Sequence, residues 1–383
     1  MLKPKTWLEI SRKNLLHNLQ EFCRRVGDGV DVCPVLKSNA YGHGLEQTAE
    51  IIQGKTKWLA VDSVDEACQL KKILKKRGSG QKNILILGYT LSDNLEEVVK
   101  NGFHQVVANL QTLKNLEKIC HKLNLPAFVH LKIETGTARR GIWLKDLSEY
   151  LKIIKNNPLL RLAGISTHFA NIEDTTEHEY AKLQLKKYKK ALESVNKYGF
   201  SGFIKHTACS AAAILFSKTH FDLIRPGISL YGMWSSPQTR VSAQQKFIDV
   251  QLKPVMTWKT KVAHIKELPA QMPVGYGCTE KVSQKTLSAV LPIGYWDGFD
   301  RCLSSIGQVL INGQRCRILG RVFMNMIVVD VSAVKNIELE DEAVILGRQK
   351  NEFISAEEIA EKVNTINYEV TTRLNPKIKR TIK

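Results

Sequence analysis

The segment DVCPVLKSNAYGHGLEQTAEIIQGKTKWLAVD, residues 31–62, contains the pattern from which the fold can be predicted. A short apolar run ends at Lys37, a polar turn with two glycines follows, and a helical pattern leads to a second apolar run, KWLAVD. Strands that are apolar nearly throughout and alternate with helices are typical of parallel sheets covered on both faces. The segment therefore predicts one strand–helix–strand unit of a parallel α/β sheet.

The same alternation continues to about residue 230. The further strand-like runs are NILILG, HQVVAN, AFVHLKIE, LAGISTHF, FIKHTACS and FDLIRPGISLYG, and most are separated by amphipathic helical patterns. Eight such units favour a closed (β/α)8 barrel over an open doubly wound sheet. No GxGxxG follows the first strand, which weakens a dinucleotide-binding alternative. We predict a TIM-type barrel over residues 12–240.

From about residue 240 the pattern changes to β-type runs with few helices between them. Asn312-Gly313 between two such runs is a strong hairpin signal. One helical pattern, SAEEIAEKVN, precedes the end of the chain, and the isolated run TWLEIS, residues 6–11, resembles a strand. We predict a mostly antiparallel β domain over residues 241–383 that also includes residues 1–11.

Composition limits the classes of function. The 383 residues are 43% hydrophobic and 24% charged, which suits a globular protein of two domains. The net charge of +19 suggests nucleic acid, but the densest lysine runs lie in amphipathic helical patterns, so solvated helix faces explain them better. No apolar run reaches about 18–20 residues and no signal-peptide core is visible, so we expect a cytoplasmic protein without membrane or nucleic-acid partners.

Eight cysteines are scattered along the chain without a CxxC pair. Such spacing is typical of reduced thiols rather than of a disulfide framework or a metal site. We therefore expect neither a bound metal nor a disulfide.

Polar residues follow the predicted barrel strands where functional groups of such barrels lie, at the carboxyl ends. A single histidine there is more often a hydrogen-bonded core residue, but a convergent set is harder to explain as structural. The set is Lys37, Lys132, Arg139, His168, Ser210 and Arg225.

These residue types match the chemistry of one cofactor. A lysine in an apolar rim near cations loses its proton readily and can form a Schiff base with an aldehyde. Ser210 and the Gly227 backbone could hold a phosphate, because glycine lets amide groups approach an anion closely. Arg225 is a permanent donor and suits an unprotonated pyridine nitrogen. Together they predict a pyridoxal phosphate site.

The sequence resembles the alanine racemase family along nearly its whole length. VLKSNAYGHG, residues 35–44, is similar to the cofactor-lysine motif of that family. Later motifs match in order: VHLKIETGTARRG, GISTHFAN, HTACSAA, IRPGISLYG, PVGYG, LPIGYWDGFDR, GRVFMNM and INYEV. The resemblance implies a barrel followed by a β domain, a homodimer with shared active sites, and supply of D-alanine for peptidoglycan.

The resemblance also implies residue roles. Lys37 would bind the cofactor covalently and act as one acid–base group, and Tyr276 of the partner subunit would be the other. Arg139 would address the cofactor's phenolic oxygen and the substrate carboxylate, and Lys132 next to it would be carbamylated. The remaining residues would hold the cofactor (Tyr41, His168, Ser210, Arg225, Gly227, Ile228 and Tyr368) or frame the substrate (Tyr295 and Met324, with Arg301 behind them).

Two departures from the family pattern leave the substrate open. Cys209 stands where an asparagine usually precedes the phosphate-binding serine, and Asn325 stands where an aspartate is usual. A racemase of broader specificity, for example one that accepts serine, is the alternative. A decarboxylase of the same fold would need a protonated pyridine ring, which Arg225 disfavours. A non-catalytic cofactor carrier would lack the β domain and Tyr276.

Overall fold

A computed structural model describes residues 3–383, which divide into two units. One unit contains residues 15–40 and 48–253. The other contains residues 3–14, 41–47 and 254–383. We refer to them as the barrel unit and the β unit.

The barrel unit is built on eight parallel strands. Six of them, from Trp58–Val61 to Ile204–His206, form one continuous parallel sheet, and the first and last strands pair with each other. Main-chain bonds close the ring: Leu36 N–H donates to Ala60 O at 2.7 Å, and Arg225 N–H donates to Ala208 O at 2.9 Å. The predicted (β/α)8 barrel is confirmed. Its strands are Asp31–Val32, Trp58–Val61, Asn83–Ile86, His104–Val107, Ala127–Lys132, Leu160–Ser166, Ile204–His206 and Leu223–Ile224.

Amphipathic helices alternate with these strands. The helix Val64–Lys76 buries Val64, Ala67, Leu70 and Leu74, while its lysines stay exposed. Side chains cap several helices where backbone N–H groups would otherwise lack acceptors: Ser63 Oγ accepts from Glu66 N–H at 3.2 Å, and Asn109 Oδ1 accepts from Thr112 N–H at 2.8 Å. The helices up to residue 245 are Arg12–Val26, Leu45–Ile52, Val64–Lys76, Leu95–Asn101, Leu110–Leu123, Leu147–Asn156, Glu179–Lys197, Ser210–Leu215 and Pro237–Gln245.

The turn after the first strand has an unusual backbone. The four residues that follow Lys37 have φ angles of 55°, 54°, 55° and 51°, which is one turn of left-handed helix made without glycine. For L-amino acids this conformation costs about 1–2 kcal/mol per residue. The sequence predicts a polar turn here, but only Asn39 is of a residue type enriched at positive φ, and one asparagine does not predict a whole left-handed turn. The residues are Ser38, Asn39, Ala40 and Tyr41.

In the main sheet of the β unit, the strand Thr6–Ile10 lies next to the edge strand Lys379–Ile382. This strand pairs antiparallel with Met256–Lys261 and parallel with Lys379–Ile382. A smaller antiparallel sheet contains His264–Leu268, Thr286–Leu291 and Ile327–Asp330. The other strands of the main sheet are Gln308–Ile311, Gln314–Arg317, Glu342–Gln349 and Glu352–Ile354.

Local signals in the β unit agree with its structure. Asn312 and Gly313, with φ of 51° and 81°, join paired strands, so the predicted hairpin is confirmed. The run MTWKTKVAHIKEL divides at Val262 and Ala263, because Val262 N–H donates to Asp341 O and Ala263 N–H donates to Val290 O in the other sheet. Two helices complete the unit, Ala356–Lys362 and Asn367–Thr372.

All eight cysteines are free thiols. Within residues 3–383, no helix is long and apolar enough to cross a membrane. The same part of the chain contains no group of three His, Cys, Asp or Glu side chains placed to hold a metal ion.

Relief of backbone strain should be measurable at Ser38. We expect Ser38→Gly to raise the free energy of unfolding by about 1 kcal/mol, because glycine adopts positive φ without a steric penalty. The free energy of unfolding is measured by denaturant titration of the whole protein, from the transition of the barrel unit. Ser201→Gly is the control, because Ser201 is also exposed but lacks positive φ, and it should cost a few tenths to about 1 kcal/mol. Equal destabilisation by both substitutions would refute the strain argument.

Candidate active site

Arg225 lies in the barrel core just beyond the last strand and is 7% exposed. Its Nη2 donates to Thr167 O at 3.0 Å and to Thr207 O at 3.1 Å, and its Nη1 lies 2.6 Å from His206 Nδ1. Burial lowers the pKa of Arg225, but a guanidinium stays charged at neutral pH. Within residues 3–383 its Nε–H and one Nη1–H have no hydrogen-bond partner, so two donors remain for a bound acceptor.

A small polar cup forms where Ser210 meets the segment after Arg225. Ser210 Oγ accepts from Gly227 N–H at 2.9 Å and from Ser229 N–H at 3.4 Å. Ile228 between them is 1% exposed, and the hydroxyl of Ser229 is buried without a partner among the described residues. Buried hydroxyls and backbone N–H groups around one point suit an anion such as phosphate. Burial raises the pKa of the neighbouring Cys209 thiol to about 11, so that thiol stays neutral.

His168 shows that the predicted cations converge. Its pKa is lowered to about 3, chiefly by burial and then by the positive charges of Arg225, Lys132, Arg139 and Lys37, in that order. The imidazole is therefore neutral at physiological pH. The barrel brings together five of the residues predicted from the sequence, His168 and these four cations.

Lys132 has an unusual charge environment for a lysine. Its pKa is lowered to about 8, chiefly by burial and then by the charges of Arg139, Arg140 and Arg225, which the charge of Glu134 partly offsets. Arg140 donates to the carbonyl oxygen of Leu87. A lysine of this kind spends a substantial fraction of the time as a free amine near neutral pH. Lys37 is half-buried at the end of the first strand run.

The loop that carries Arg139 is organised by a carboxylate. Glu134 Oε1 accepts from Gly136 N–H at 2.6 Å and from Thr137 N–H at 2.7 Å. Burial alone would raise the pKa of Glu134, but these backbone donors lower it overall. Thr137 Oγ1 donates to His168 O at 2.6 Å. The stretch ETGTAR, residues 134–139, thus forms a hydrogen-bonded loop.

In the β unit, the two predicted phosphate-binding tyrosines lie near each other. The ring centroids of Tyr41 and Tyr368 are 6.1 Å apart. Gly42 explains the close approach, because a Cβ there would lie 1.9 Å from Thr371 O on the helix Asn367–Thr372. Arg380 Nε donates to Gly42 O at 2.9 Å and fixes the same turn.

A second cluster in the β unit contains Tyr276, Tyr295 and Met324. Tyr276 is 75% exposed, and its ring centroid is 5.1 Å from that of Phe323. Tyr295 N–H donates to Phe323 O at 3.0 Å, and the next residue's N–H donates to Met324 O at 3.0 Å. These bonds hold the two loops side by side with their large side chains exposed. Arg301 and Asn325 are exposed as well.

Sequence reasoning missed several residues of this environment. His206 stands in the quoted motif HTACSAA, where its position at a strand end was a signal, but its contact with Arg225 was not foreseen. Arg321 was also missed. A Cβ on Gly277 would lie 2.8 Å from Arg321 Nη1, so this cation packs against Gly277, the residue that follows Tyr276.

The arrangement in the barrel unit fits pyridoxal phosphate. The cup at Ser210 suits its phosphate, the free donors of Arg225 suit its pyridine nitrogen, and an amine stands at Lys37 for its aldehyde. His168 is neutral and can pack on a ring without adding charge.

Known proteins match the chain from end to end. The family models for the N-terminal and C-terminal domains of alanine racemase match residues 10–235 and 255–382. The alanine racemase of Leptospira interrogans is 37% identical over 385 aligned positions, covering 98% of this chain and 95% of that protein.

Solved structures agree. The alanine racemase of Bacillus anthracis with bound L-Ala-P superposes with a TM-score of 0.91 at 29% identity, covering 100% of this chain and 96% of that one. The alanine racemase of Bartonella henselae with covalently bound pyridoxal phosphate gives 0.85 at 26% identity and covers 100% of both chains. The chain therefore belongs to the alanine racemase family of isomerases.

Proposed function

We propose that this protein interconverts L-alanine and D-alanine with pyridoxal phosphate, using Lys37 and Tyr276 as two bases. The observation that carries the proposal is the buried Arg225 with two donors left free within residues 3–383, two residues before Gly227 in the cup at Ser210. Lys37 is among the cations that lower the pKa of His168. The covalently bound pyridoxal phosphate of the Bartonella relative and the L-Ala-P of the Bacillus relative support the assignment. D-alanine formed in this way would supply peptidoglycan synthesis.

When bound, pyridoxal phosphate supplies the electron sink that stabilises negative charge at the substrate Cα. Lys37 would hold the group covalently, and Arg225 would donate to its pyridine nitrogen. His168 would pack beside the ring. The phosphate would be held by residues with hydroxyl or backbone N–H donors: Tyr41, Ser210, Gly227, Ile228 and Tyr368.

Arg225 supports racemisation over decarboxylation. A guanidinium only donates, so it leaves the pyridine nitrogen unprotonated, and an unprotonated ring withdraws electrons less strongly. Such a sink suits brief removal of one proton and limits side reactions. A decarboxylase would favour a carboxylate at the place of this buried cation.

Racemisation needs a proton removed from one face of Cα and another returned to the opposite face. We assign removal from L-alanine to Tyr276 of the partner subunit and removal from D-alanine to Lys37. A phenol has an ordinary pKa of about 10, so Tyr276 needs a nearby cation to act as a base. Arg321, which packs on Gly277, is a candidate for that cation.

The substrate carboxylate is assigned to Arg139, whose own loop is fixed by Glu134. Tyr295 and Met324 of the partner subunit would frame the side chain, with Arg301 behind them. The exposed Asn325 carries no charge where the family usually has a carboxylate. Serine or a somewhat larger amino acid is therefore the alternative substrate.

The exposed residues of the β unit support a homodimer. Tyr276, Tyr295, Trp296 and Met324 are 75%, 44%, 56% and 55% exposed, and Tyr295, Trp296 and Met324 are held on two hydrogen-bonded loops. Clusters of large exposed apolar side chains mark interaction sites. A partner that covers them would receive Tyr276 in its own active site.

Loss of the tyrosine base should separate the two enantiomers. In Tyr276→Phe we expect racemisation to fall about 10²- to 10⁴-fold, because a required general base is gone. D-alanine should still exchange its α-hydrogen with deuterated solvent through Lys37, whereas L-alanine should exchange little. Mass spectrometry of each recovered enantiomer measures the exchange.

Tyr198→Phe, at the end of the helix Glu179–Lys197, is the control and should racemise normally. The Tyr276 variant should also keep its bound cofactor, as judged by its absorbance. Equal exchange from both enantiomers in that variant would refute the assignment of two bases.

If each active site contains residues of both subunits, two inactive variants should restore activity when they are mixed. Lys37→Ala and Tyr276→Phe homodimers each lack one base in every site. After mixing and subunit exchange, we expect about one quarter of the wild-type activity, because half of the dimers are mixed and each has one intact site. If exchange is demonstrated and activity stays absent, both bases act within one subunit.

Lys132 should react with carbon dioxide. Its pKa of about 8 leaves about half of the side chain as free amine at pH 8, against well under 1% for an ordinary lysine of pKa ~10.4. The amine would add to carbon dioxide and release one proton, and the resulting carbamate anion would pair with Arg139. In ¹³C-bicarbonate we expect a carbamate NMR signal that grows as the pH rises from about 7 to 9.

Lys132→Ala should lack this signal and lose activity. An identical signal in both proteins, or full activity of the variant, would contradict the modification.

A further inference from the structure

Three histidines and Arg225 form a continuous line of hydrogen-bonding groups inside the barrel. His206 Nδ1 lies 2.6 Å from Arg225 Nη1, and His206 Nε2 lies 2.8 Å from His130 Nδ1. His130 Nε2 lies 3.0 Å from His104 Nδ1. The histidines come from three separate strands, so only the closed barrel brings them together. We call the line His104–His130–His206–Arg225 the histidine chain.

The direction of the protons in the histidine chain follows from Arg225. A guanidinium has no acceptor, so His206 Nδ1 must accept and the proton of a neutral His206 must be on Nε2. That proton is donated to His130 Nδ1, which places the proton of His130 on Nε2 in turn. His104 Nδ1 then accepts at the end of the chain. Each tautomer is determined by its neighbour.

All three imidazoles are neutral, as this scheme requires. Burial lowers the pKa of His104 to about 4 and lowers the pKa of His130 and His206 well below the ordinary value, with the charge of Arg225 adding to the effect on the last two. His130 and His206 have no exposed surface, whereas His104 retains 8%. The two central rings of the histidine chain are thus fully buried, whereas its two ends, Arg225 and His104, each keep a small exposed fraction.

The surrounding barrel is shaped to hold these rings. A Cβ on Gly164 would lie 2.2 Å from His130 Nδ1, so only glycine leaves room for the bond to His206. Phe128 stacks on His104 with centroids 4.8 Å apart, and Trp58 meets the same ring edge-on at 4.7 Å. A buried polar network is favourable only when every donor and acceptor has a partner. Each ring nitrogen that faces another ring in the histidine chain has one.

We propose that His104 is a positioning residue that, as the terminal acceptor of the histidine chain, fixes the tautomers of His130 and His206 and so keeps Arg225 in place. Without an acceptor at residue 104, the buried Nε2–H of His130 loses its partner. Moving that proton to Nδ1 turns it toward His206 and forces the proton of His206 onto Nδ1. Two donors would then face each other at Arg225, which would be displaced.

The link from Arg225 to the pyridine nitrogen rests on the proposed function, whereas the link from His104 to Arg225 does not. The two can therefore be tested separately. Tautomers of the histidine chain can be measured by NMR with or without activity. Contact with the cofactor is measured by the absorbance of the bound pyridoxal phosphate.

The main test compares His104→Leu, which removes the acceptor, with His104→Asn, whose Oδ1 can accept in place of Nδ1. In ¹⁵N-histidine holoenzyme we expect long-range ¹H–¹⁵N spectra to show Nε2–H tautomers for His130 and His206. These signals should be lost or changed to Nδ1–H in His104→Leu and retained in His104→Asn. The cofactor absorbance maximum should shift in the leucine variant only.

Unchanged His130 and His206 signals in folded His104→Leu would overturn the proposal, because a residue that only fills space would give that result. If His104→Leu does not fold, His104→Phe provides the same test, since it keeps an aromatic ring against Phe128 and Trp58 but offers no acceptor to His130. It should lose the same signals, and their persistence would refute the proposal. A protein that shows the tautomers but binds no pyridoxal phosphate would instead refute the proposed function.

Discussion

The guanidinium of Arg225 keeps its proton at neutral pH, and the core of the barrel has to accommodate that charge. Burying an ion without partners would cost several kcal/mol, and two backbone carbonyls and His206 reduce that cost. Neighbouring titratable groups reduce the total positive charge, because they can release their protons and become neutral. The pKa values of His168, His206 and Lys132 all fall, chiefly by burial and partly because of this charge.

The result is a rim rich in fixed positive charge but with neutral imidazoles. Fixed cations suit the two anions of the proposed reaction, the phosphate of the cofactor and the carboxylate of the amino acid. Neutral imidazoles can lie against an aromatic ring without repelling the cations around them. If Arg225 donates to the pyridine nitrogen, as we propose, it would favour proton transfer at Cα over cleavage of the bond to the carboxylate. One permanently protonated side chain thus links burial, charge and the proposed type of reaction.

Backbone strain is concentrated at the same end of the barrel. Four consecutive residues after Lys37 are left-handed, although none is glycine. Ala40 N–H donates to Leu36 O at 2.8 Å, and Ala40 is fully buried, so packing and hydrogen bonding hold the turn. Strained backbone persists only where its surroundings determine it, and it is frequent at functional sites. Here the strain fixes where the chain leaves the lysine that we assign to the cofactor.

The secondary-structure elements could be predicted from the sequence alone, because hydrophobic periodicity and turn chemistry are local properties. Apolar runs between amphipathic helices predicted the barrel, and Asn312-Gly313 predicted a hairpin. Lys37 and Arg225 were identifiable because charged residues at the ends of apolar strands are uncommon. The left-handed turn depends on tertiary contacts, since of Ser38 to Tyr41 only Asn39 is of a type that adopts positive φ readily.

The histidine chain likewise forms only in the folded barrel and could not be predicted from the sequence. Its histidines are 26 and 76 positions apart, and nothing local distinguishes them from ordinary core residues. Their alignment depends on strand register and on the space left by Gly164. Local sequence sets which residues are buried, whereas the closure of the barrel sets which buried groups meet.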